Sequence, residues 1–121
     1  MLIPIGDLLA DVGVFGGSGF YDLEGGEADG IAEVEVDTPY GPPAGPLTVA
    51  TINGRRVAFL PRHGPGHRFA AHRVPFRANV WAMASLGVRS MIGPCAVGSL
   101  QPEIHPGEFV VVDQLVDRTT G

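Results

Sequence analysis

The alternation of apolar and polar residues predicts a β-hairpin most clearly in the middle of the chain. Two alternating runs, residues 47–52 and 55–60, flank the dipeptide Asn53-Gly54. Asn-Gly is a preferred pair for a type I′ turn, in which both central residues need a positive φ. We therefore expect two antiparallel strands joined by this turn.

Shorter patterns predict further elements before the hairpin. Residues 11–15 read as a buried strand that runs into the glycine-rich turn 16–19. The Gly, Glu and Asp residues of 25–30 favour a surface loop. Residues 34–46 begin with an alternating pattern and end in prolines, so we expect a strand that stops there.

A helix and two strands are predicted after the hairpin. Residues 74–87 place Val80, Met83, Ala84 and Leu86 near helical spacing, with a proline in the first turn and Gly87 as the stop. A strand follows and breaks at residues 93–94, and the apolar run 109–113 predicts another strand. This order is typical of an α/β fold.

Composition limits the class of protein. The 121 residues, 45% hydrophobic and 17% charged, indicate one globular domain, and 18 Gly with 11 Pro indicate tight loops. A formal net charge of −5 speaks against nucleic acid as a partner. A single cysteine fits a reducing compartment. The first ten residues make a poor signal peptide, and no apolar stretch approaches the ~20 residues that a membrane-spanning helix needs. We therefore expect a cytoplasmic protein.

The glycine-rich turn 16–19 could bind an anion through bare backbone N–H groups, with the Ser18 hydroxyl beside them. It lacks the Lys-Ser/Thr pair of a P-loop, which sets aside a nucleotide hydrolase. It also fails the dinucleotide-binding pattern, because Asp22 stands where the last glycine would be. A tight turn that only reverses the chain is the alternative, and both interpretations stay open.

Arg62 and His63 follow the second hairpin strand, within a stretch rich in arginine. Arginine is the preferred bidentate partner of phosphate oxygens, and histidine can add a donor. An exposed loop with solvated arginine is the alternative. Because the glycine turn also ends a strand, we expect the two segments to converge on one anion.

Metal binding and cysteine chemistry are less favoured by the pattern. His63, His67 and His72 lack neighbouring carboxylate or cysteine ligands, and glycine and proline separate the first two, so we expect no metal site. Cys95 has no base beside it in the sequence, which favours a small buried residue, or one whose backbone lines a site, over a nucleophile. Trp81 is expected in the core or in a subunit interface.

Six segments, taken together and in this order, resemble the methylthioadenosine phosphorylase branch of the trimeric purine nucleoside phosphorylases. Each segment is a weak signal alone, but six in this order with similar spacing are specific, and the match covers nearly the whole chain from Val12 onward. The segments are "GVFGGSGFYD", "VDTPYGPP", "LPRHGPGHR", "RANVWAMASLGV", "PCAVGSL" and "PGEFVVVDQLVDRTTG".

The resemblance implies an α/β fold with a central mixed, barrel-like sheet flanked by helices, and a homotrimer. It implies phosphorolysis of 5′-methylthioadenosine or a related purine nucleoside, giving free base and a sugar 1-phosphate. Inorganic phosphate is then a co-substrate, and no metal or organic cofactor is implied. The identity of the nucleoside stays open, both at the 6-position and at the 5′-substituent.

The same resemblance implies that phosphate is bound by Ser18, Arg62, His63 and the turn at Cys95 and Ala96. Many family members carry threonine where Cys95 stands, so one hydroxyl contact to phosphate is expected to be absent. The backbone N–H at that position can still donate.

Family members have longer chains, and their later half supplies the purine-side aspartate and the ribose contacts. The resemblance therefore implies that residues 1–121 form the N-terminal, phosphate-binding half of one domain, with no catalytic residue identified in it. We expect this half to expose apolar surface and to need the other half. A non-catalytic, truncated paralogue that binds phosphate or joins an assembly is the alternative.

Overall fold

A mixed five-stranded sheet organises residues 8–17 and 28–120, which are the residues that the computed structural model describes. Two 3₁₀ turns, Pro65–His67 and Ala71–Arg73, connect the hairpin to the helix. In chain order the elements are β1 (Val12–Gly16), β2 (Ala28–Val34), β3 (Leu47–Ile52), β4 (Arg55–Pro61), α1 (Phe76–Ser85) and β5 (Ser90–Ile92).

The strands lie in the order β2-β3-β4-β1-β5. β2, β3 and β4 pair antiparallel, whereas β1 pairs parallel with β4 on one side and with β5 on the other. The carboxyl ends of β4, β1 and β5 therefore meet at one edge of the sheet. Ligands of open α/β sheets commonly bind at such an edge.

The predicted hairpin is confirmed. β3 and β4 pair from Thr48↔Phe59 to Ile52↔Arg55. Asn53 has φ 49° and Gly54 has φ 76°, as a type I′ turn requires. The α/β class with a central mixed sheet is likewise confirmed, as is the strand that breaks before Gly93.

Helix α1 packs against one face of the sheet, and only some of its apolar residues at helical spacing point inward. Met83 and Leu86 join the core cluster of Leu47, Val49 and Leu60, as expected. Val80 and Ala84, which share the predicted helical spacing, are exposed. The helix turns Ala78, Asn79 and Ala82 inward instead. Within the described residues no helix is both long and apolar enough to cross a membrane.

The prediction for residues 25–46 is wrong in two respects. Residues 28–30, expected in a loop, begin β2, and the strand expected from residue 34 onward ends there. Pairing with β3 is the physical reason, because β3 offers partners from Ile52 to Leu47 and none beyond. A register shift between Asp29 and Ala32 admits Gly30 at φ 62° into the strand.

The strand predicted at residues 109–113 is also wrong. This run has no strand pairing, and the Phe109 and Val111 side chains are 97% and 96% exposed. A strand needs a neighbour for its backbone hydrogen bonds and an apolar layer for its side chains. Among the described residues, nothing beyond β5 supplies either of these.

Candidate phosphate site

Arg62 joins the ends of three strands at the carboxyl edge of the sheet. It follows β4 directly, and its backbone N–H donates to the Gly16 carbonyl at the end of β1 (3.0 Å). Its side-chain Nη1 donates to the Phe15 carbonyl (3.3 Å) and to the Pro94 carbonyl just after β5 (2.8 Å). One guanidinium is thus fixed where β4, β1 and β5 end.

The guanidinium keeps donors for a ligand. Of its five N–H groups, those of Nη1 serve the two carbonyls, while Nε and Nη2 make no hydrogen bond within residues 8–17 and 28–120. The planar fork of arginine matches two oxygens of a phosphate. The carbonyl contacts hold the fork in place, which lowers the entropic cost of binding.

Gly17 explains part of the glycine-rich turn. A Cβ at this position would come within 2.7 Å of Arg62 Cζ, closer than such atoms approach. The missing side chain therefore makes room for the guanidinium. The sequence interpretation assigned the glycines to close approach of an anion, and Gly17 instead admits the cation that would bind one. Ser18 lies outside the described residues, so its predicted role stays a prediction.

The turn after β5 lies beside this arginine through Pro94. Cys95 and Ala96 are exposed, and their backbone N–H groups donate to no group in the described part of the chain. The Cys95 thiol lies 3.5 Å from the Gly93 carbonyl. The thiol is exposed, so of the two predicted places the small buried residue is wrong, because Cys95 lies in a turn beyond the last strand. A residue whose backbone lines a site stays a prediction.

His63 is buried to 8% exposure, and its ring is held by the loop that follows. Nδ1 lies 2.9 Å from the Phe69 carbonyl. Because a carbonyl only accepts, Nδ1 must carry the hydrogen and donate. Nε2 is then the nitrogen left for a ligand, and within the described residues it has no hydrogen-bond partner.

The other histidines do not form a metal site with His63 in this structure. His67 stacks on the His63 ring with 4.2 Å between ring centroids and 10° between planes. Among the described residues, no group of three His, Cys, Asp or Glu side chains could hold a metal ion.

A buried hydrogen-bond network supports the loop of residues 63–69, here called the histidine loop. Sequence reasoning missed this network. Asn79 of α1, 1% exposed, accepts a 2.8 Å hydrogen bond from the Ala44 backbone N–H. The Ala44 carbonyl in turn accepts from Arg68 Nη2 at 2.9 Å. A Cβ at Gly64 would lie 2.8 Å from the same carbonyl, at φ 77°. A polar residue on the apolar face of α1 was the available signal.

Trp81 lies at the surface and not in the core. It is 38% exposed and lines an open groove of about 770 Å³ on the outer side of α1. Of the two predicted places, the core is therefore wrong. The groove is formed by Tyr40, Phe76, Arg77, Val80, Trp81 and Ala84.

Comparison with known families identifies the fold. The model of the phosphorylase superfamily matches residues 11–121, nearly the whole chain. The chain belongs to the phosphorylase superfamily. This confirms the resemblance carried by the six segments. The superfamily's mixed sheet is the one described above, with Arg62 at its carboxyl edge.

Individual relatives refine the comparison. The S-methyl-5'-thioadenosine phosphorylase of Mycolicibacterium smegmatis is 58% identical over 110 residues, which are 91% of this chain and 41% of that protein. A purine nucleoside phosphorylase of Streptomyces coelicolor is 56% identical, over 91% of this chain and 38% of that protein. The solved methylthioadenosine phosphorylase of Schistosoma mansoni, in complex with tubercidin, matches with a TM-score of 0.79 and 40% identity.

That structural match covers 93% of this chain and 38% of the solved one. The chain thus spans about 40% of the length of the curated relatives it matches. The likeness extends over nearly all of this chain but over the minor part of each relative.

Proposed function

We propose that this chain supplies the phosphate-binding part of a phosphorylase that cleaves 5′-methylthioadenosine or a related purine nucleoside. The observation that carries the proposal is the Arg62 guanidinium, fixed at the ends of three strands with Nε and Nη2 still available. The identity of the relatives, most of them named methylthioadenosine phosphorylases, supports the substrate class.

In this proposal phosphate is bound by Arg62, the ring of His63, the Ser18 hydroxyl and the turn at Cys95 and Ala96. A phosphate oxygen attacks C1′ of the sugar while the C1′–N bond to the base breaks. The electron pair of that bond leaves with the purine, which takes up a proton. The main task of the residues in this chain is to place phosphate and balance its charge.

The purine-side acid and the ribose contacts come from polypeptide other than residues 1–121. The exposed apolar side chains after β5 support this requirement, because a working domain buries such a surface. We extend the proposal to a cytoplasmic homotrimer. The apolar groove around Trp81 is one surface suited to a subunit contact.

The test is release of purine base by the protein, followed with methylthioadenosine, adenosine and inosine in parallel, with and without phosphate. The 121-residue chain is assayed alone and together with a second polypeptide carrying the remainder of a relative's domain. We expect adenine from methylthioadenosine only when phosphate and the second polypeptide are both present.

Two outcomes would contradict the proposal. Release of base without phosphate would indicate a hydrolase. Absence of release from every substrate, under conditions where the two polypeptides form a complex, would favour the non-catalytic alternative. A full-length relative serves as the positive control for each substrate.

A further inference from the structure

The stacked pair of His63 and His67 is not explained by phosphate binding alone. The two rings are 4.2 Å apart and nearly parallel, and His67 has φ 56°, in the left-handed region that only a few non-glycine residues adopt. Backbone strain of this kind persists when surrounding contacts require it. One such contact is the stack of the His67 ring on the His63 ring.

The loop between them closes on itself through backbone hydrogen bonds. The Gly64 N–H donates to the Pro61 carbonyl (2.8 Å), and the His67 N–H donates to the Gly64 carbonyl (3.0 Å). The Phe69 N–H donates to the His63 carbonyl (2.9 Å), while the Phe69 carbonyl accepts from the His63 ring. His63 is therefore restrained at its edge by Phe69 and at its face by His67.

These two restraints fix the direction of Nε2. With Nδ1 engaged at Phe69, rotation of the ring about χ2 would break that hydrogen bond, and the stack opposes tilting. When His63 is neutral, Nε2 accepts from a phosphate hydroxyl. When the ring is protonated, Nε2 donates to a phosphate oxygen. In both states the same nitrogen is the point of contact.

We propose that His67 is a positioning residue for phosphate, which acts by stacking on His63 and holding its Nε2 toward the anion. This inference rests on the proposed function, because His63 is assigned to phosphate there. It adds a residue that is not among the predicted phosphate ligands. Its contribution comes from the ring and not from the charge of His67.

Two variants distinguish the contribution of the His67 ring from the contributions of its backbone conformation and its charge. His67→Asn keeps a residue type tolerant of left-handed φ but removes the ring. His67→Phe keeps a ring for stacking but removes the charge and the nitrogens. His72→Asn, in the exposed 3₁₀ turn Ala71–Arg73, is the matched control that removes an imidazole outside the stack.

Phosphate affinity is measured by titration with inorganic phosphate, and the His63 ring is followed by long-range ¹H–¹⁵N spectra. An aromatic stack is worth about 0.5–1.5 kcal/mol, so we expect His67→Asn to weaken phosphate binding between about 2-fold and 12-fold. The Nδ1–H tautomer signal of His63 should weaken as well. His67→Phe should retain more phosphate affinity than His67→Asn, because it keeps a ring for the stack although phenylalanine tolerates a left-handed φ less well than histidine or asparagine. His72→Asn should have the same phosphate affinity as the unsubstituted protein.

Unchanged phosphate affinity and an unchanged His63 spectrum in His67→Asn would overturn the inference. So would an equal loss in His67→Phe, since it would assign the effect to the charge or hydrogen bonds of His67. If the unsubstituted protein bound no phosphate, the proposed function would fail. The His63 spectra, recorded without phosphate, would still show whether the stack with His67 holds the His63 ring in place.

Discussion

The Nη1 atom of Arg62 donates a 2.8 Å hydrogen bond to the Pro94 carbonyl, so the end of β4 is tied to the turn that follows β5 across the intervening β1. Neighbouring parallel strands end at the same side of the sheet. The hydrogen bond to Pro94 holds the Arg62 guanidinium at that side. The relationship gives Arg62 a structural role toward the neighbouring backbone, and the proposed function adds a second role toward an anion.

Replacing Arg62 with lysine tests the second role. A lysine ammonium keeps the charge but cannot form the bidentate fork. Hydrogen bonds to charged groups are worth about 1.5–3 kcal/mol, so Arg62→Lys should weaken phosphate binding by about 10-fold to 100-fold. Titration calorimetry with inorganic phosphate measures the change.

Arg73→Lys is the matched control for this substitution, because Arg73 lies exposed in a 3₁₀ turn. It should leave the phosphate affinity unchanged. Equal affinities for Arg62→Lys and the unsubstituted protein would remove Arg62 from the site. Binding of methylthioadenosine should respond far less than binding of phosphate.

Gly17 offers a test of the space that the guanidinium needs. In Gly17→Ala the new Cβ collides with Arg62, so either the arginine or the turn must move. Overpacking of this kind costs about 1–3 kcal/mol, and we expect weaker phosphate binding together with a lower melting temperature. In Gly93→Ala, where a Cβ meets nothing within 4 Å, neither quantity should change. Wild-type phosphate affinity in Gly17→Ala would show that the turn tolerates the larger residue.

Asn79 is expected to stabilise the support beneath the histidine loop. Asn79→Ala leaves the Ala44 N–H without its acceptor in a buried position, which costs about 1–3 kcal/mol. The neighbouring substitution Val80→Ala, on the exposed side of the same helix, should cost less than about 0.5 kcal/mol. Urea denaturation gives both free energies of unfolding. Similar values for the two variants would mean that the Asn79 hydrogen bond contributes little.

The sequence predicted local elements well where short-range chemistry decides them. Asn53-Gly54 determines its own turn, and the stop before Gly93 follows from the Gly-Pro pair. Sequence-based prediction failed where pairing between strands determines which residues form a strand. The bounds of β2 depend on β3, and residues 109–113 lack a neighbour among the described residues.

The candidate site shows the same division. Arg62 and His63 were predicted as phosphate ligands because their side-chain chemistry suits phosphate. The carbonyls of Pro94 and Phe69, which fix those side chains, carry no signal in the sequence, since every residue has a carbonyl. Their importance depends on which backbone segments the fold brings together, and only the three-dimensional structure gives that.

The apolar side chains exposed after β5 lead to a last prediction, on self-association of the 121-residue chain. Val111 is 96% exposed and Leu115 is 86% exposed, and side chains of this size gain about 1.5–3 kcal/mol each on burial. We expect the chain to associate, and the double substitution Val111→Lys and Leu115→Lys to raise the dissociation constant by about tenfold or more. Analytical ultracentrifugation over a range of protein concentrations measures it. Gln114→Lys adds a positive charge without removing apolar surface, so it should have a much smaller effect. If it dispersed the protein equally well, charge and not apolar contact would govern the association.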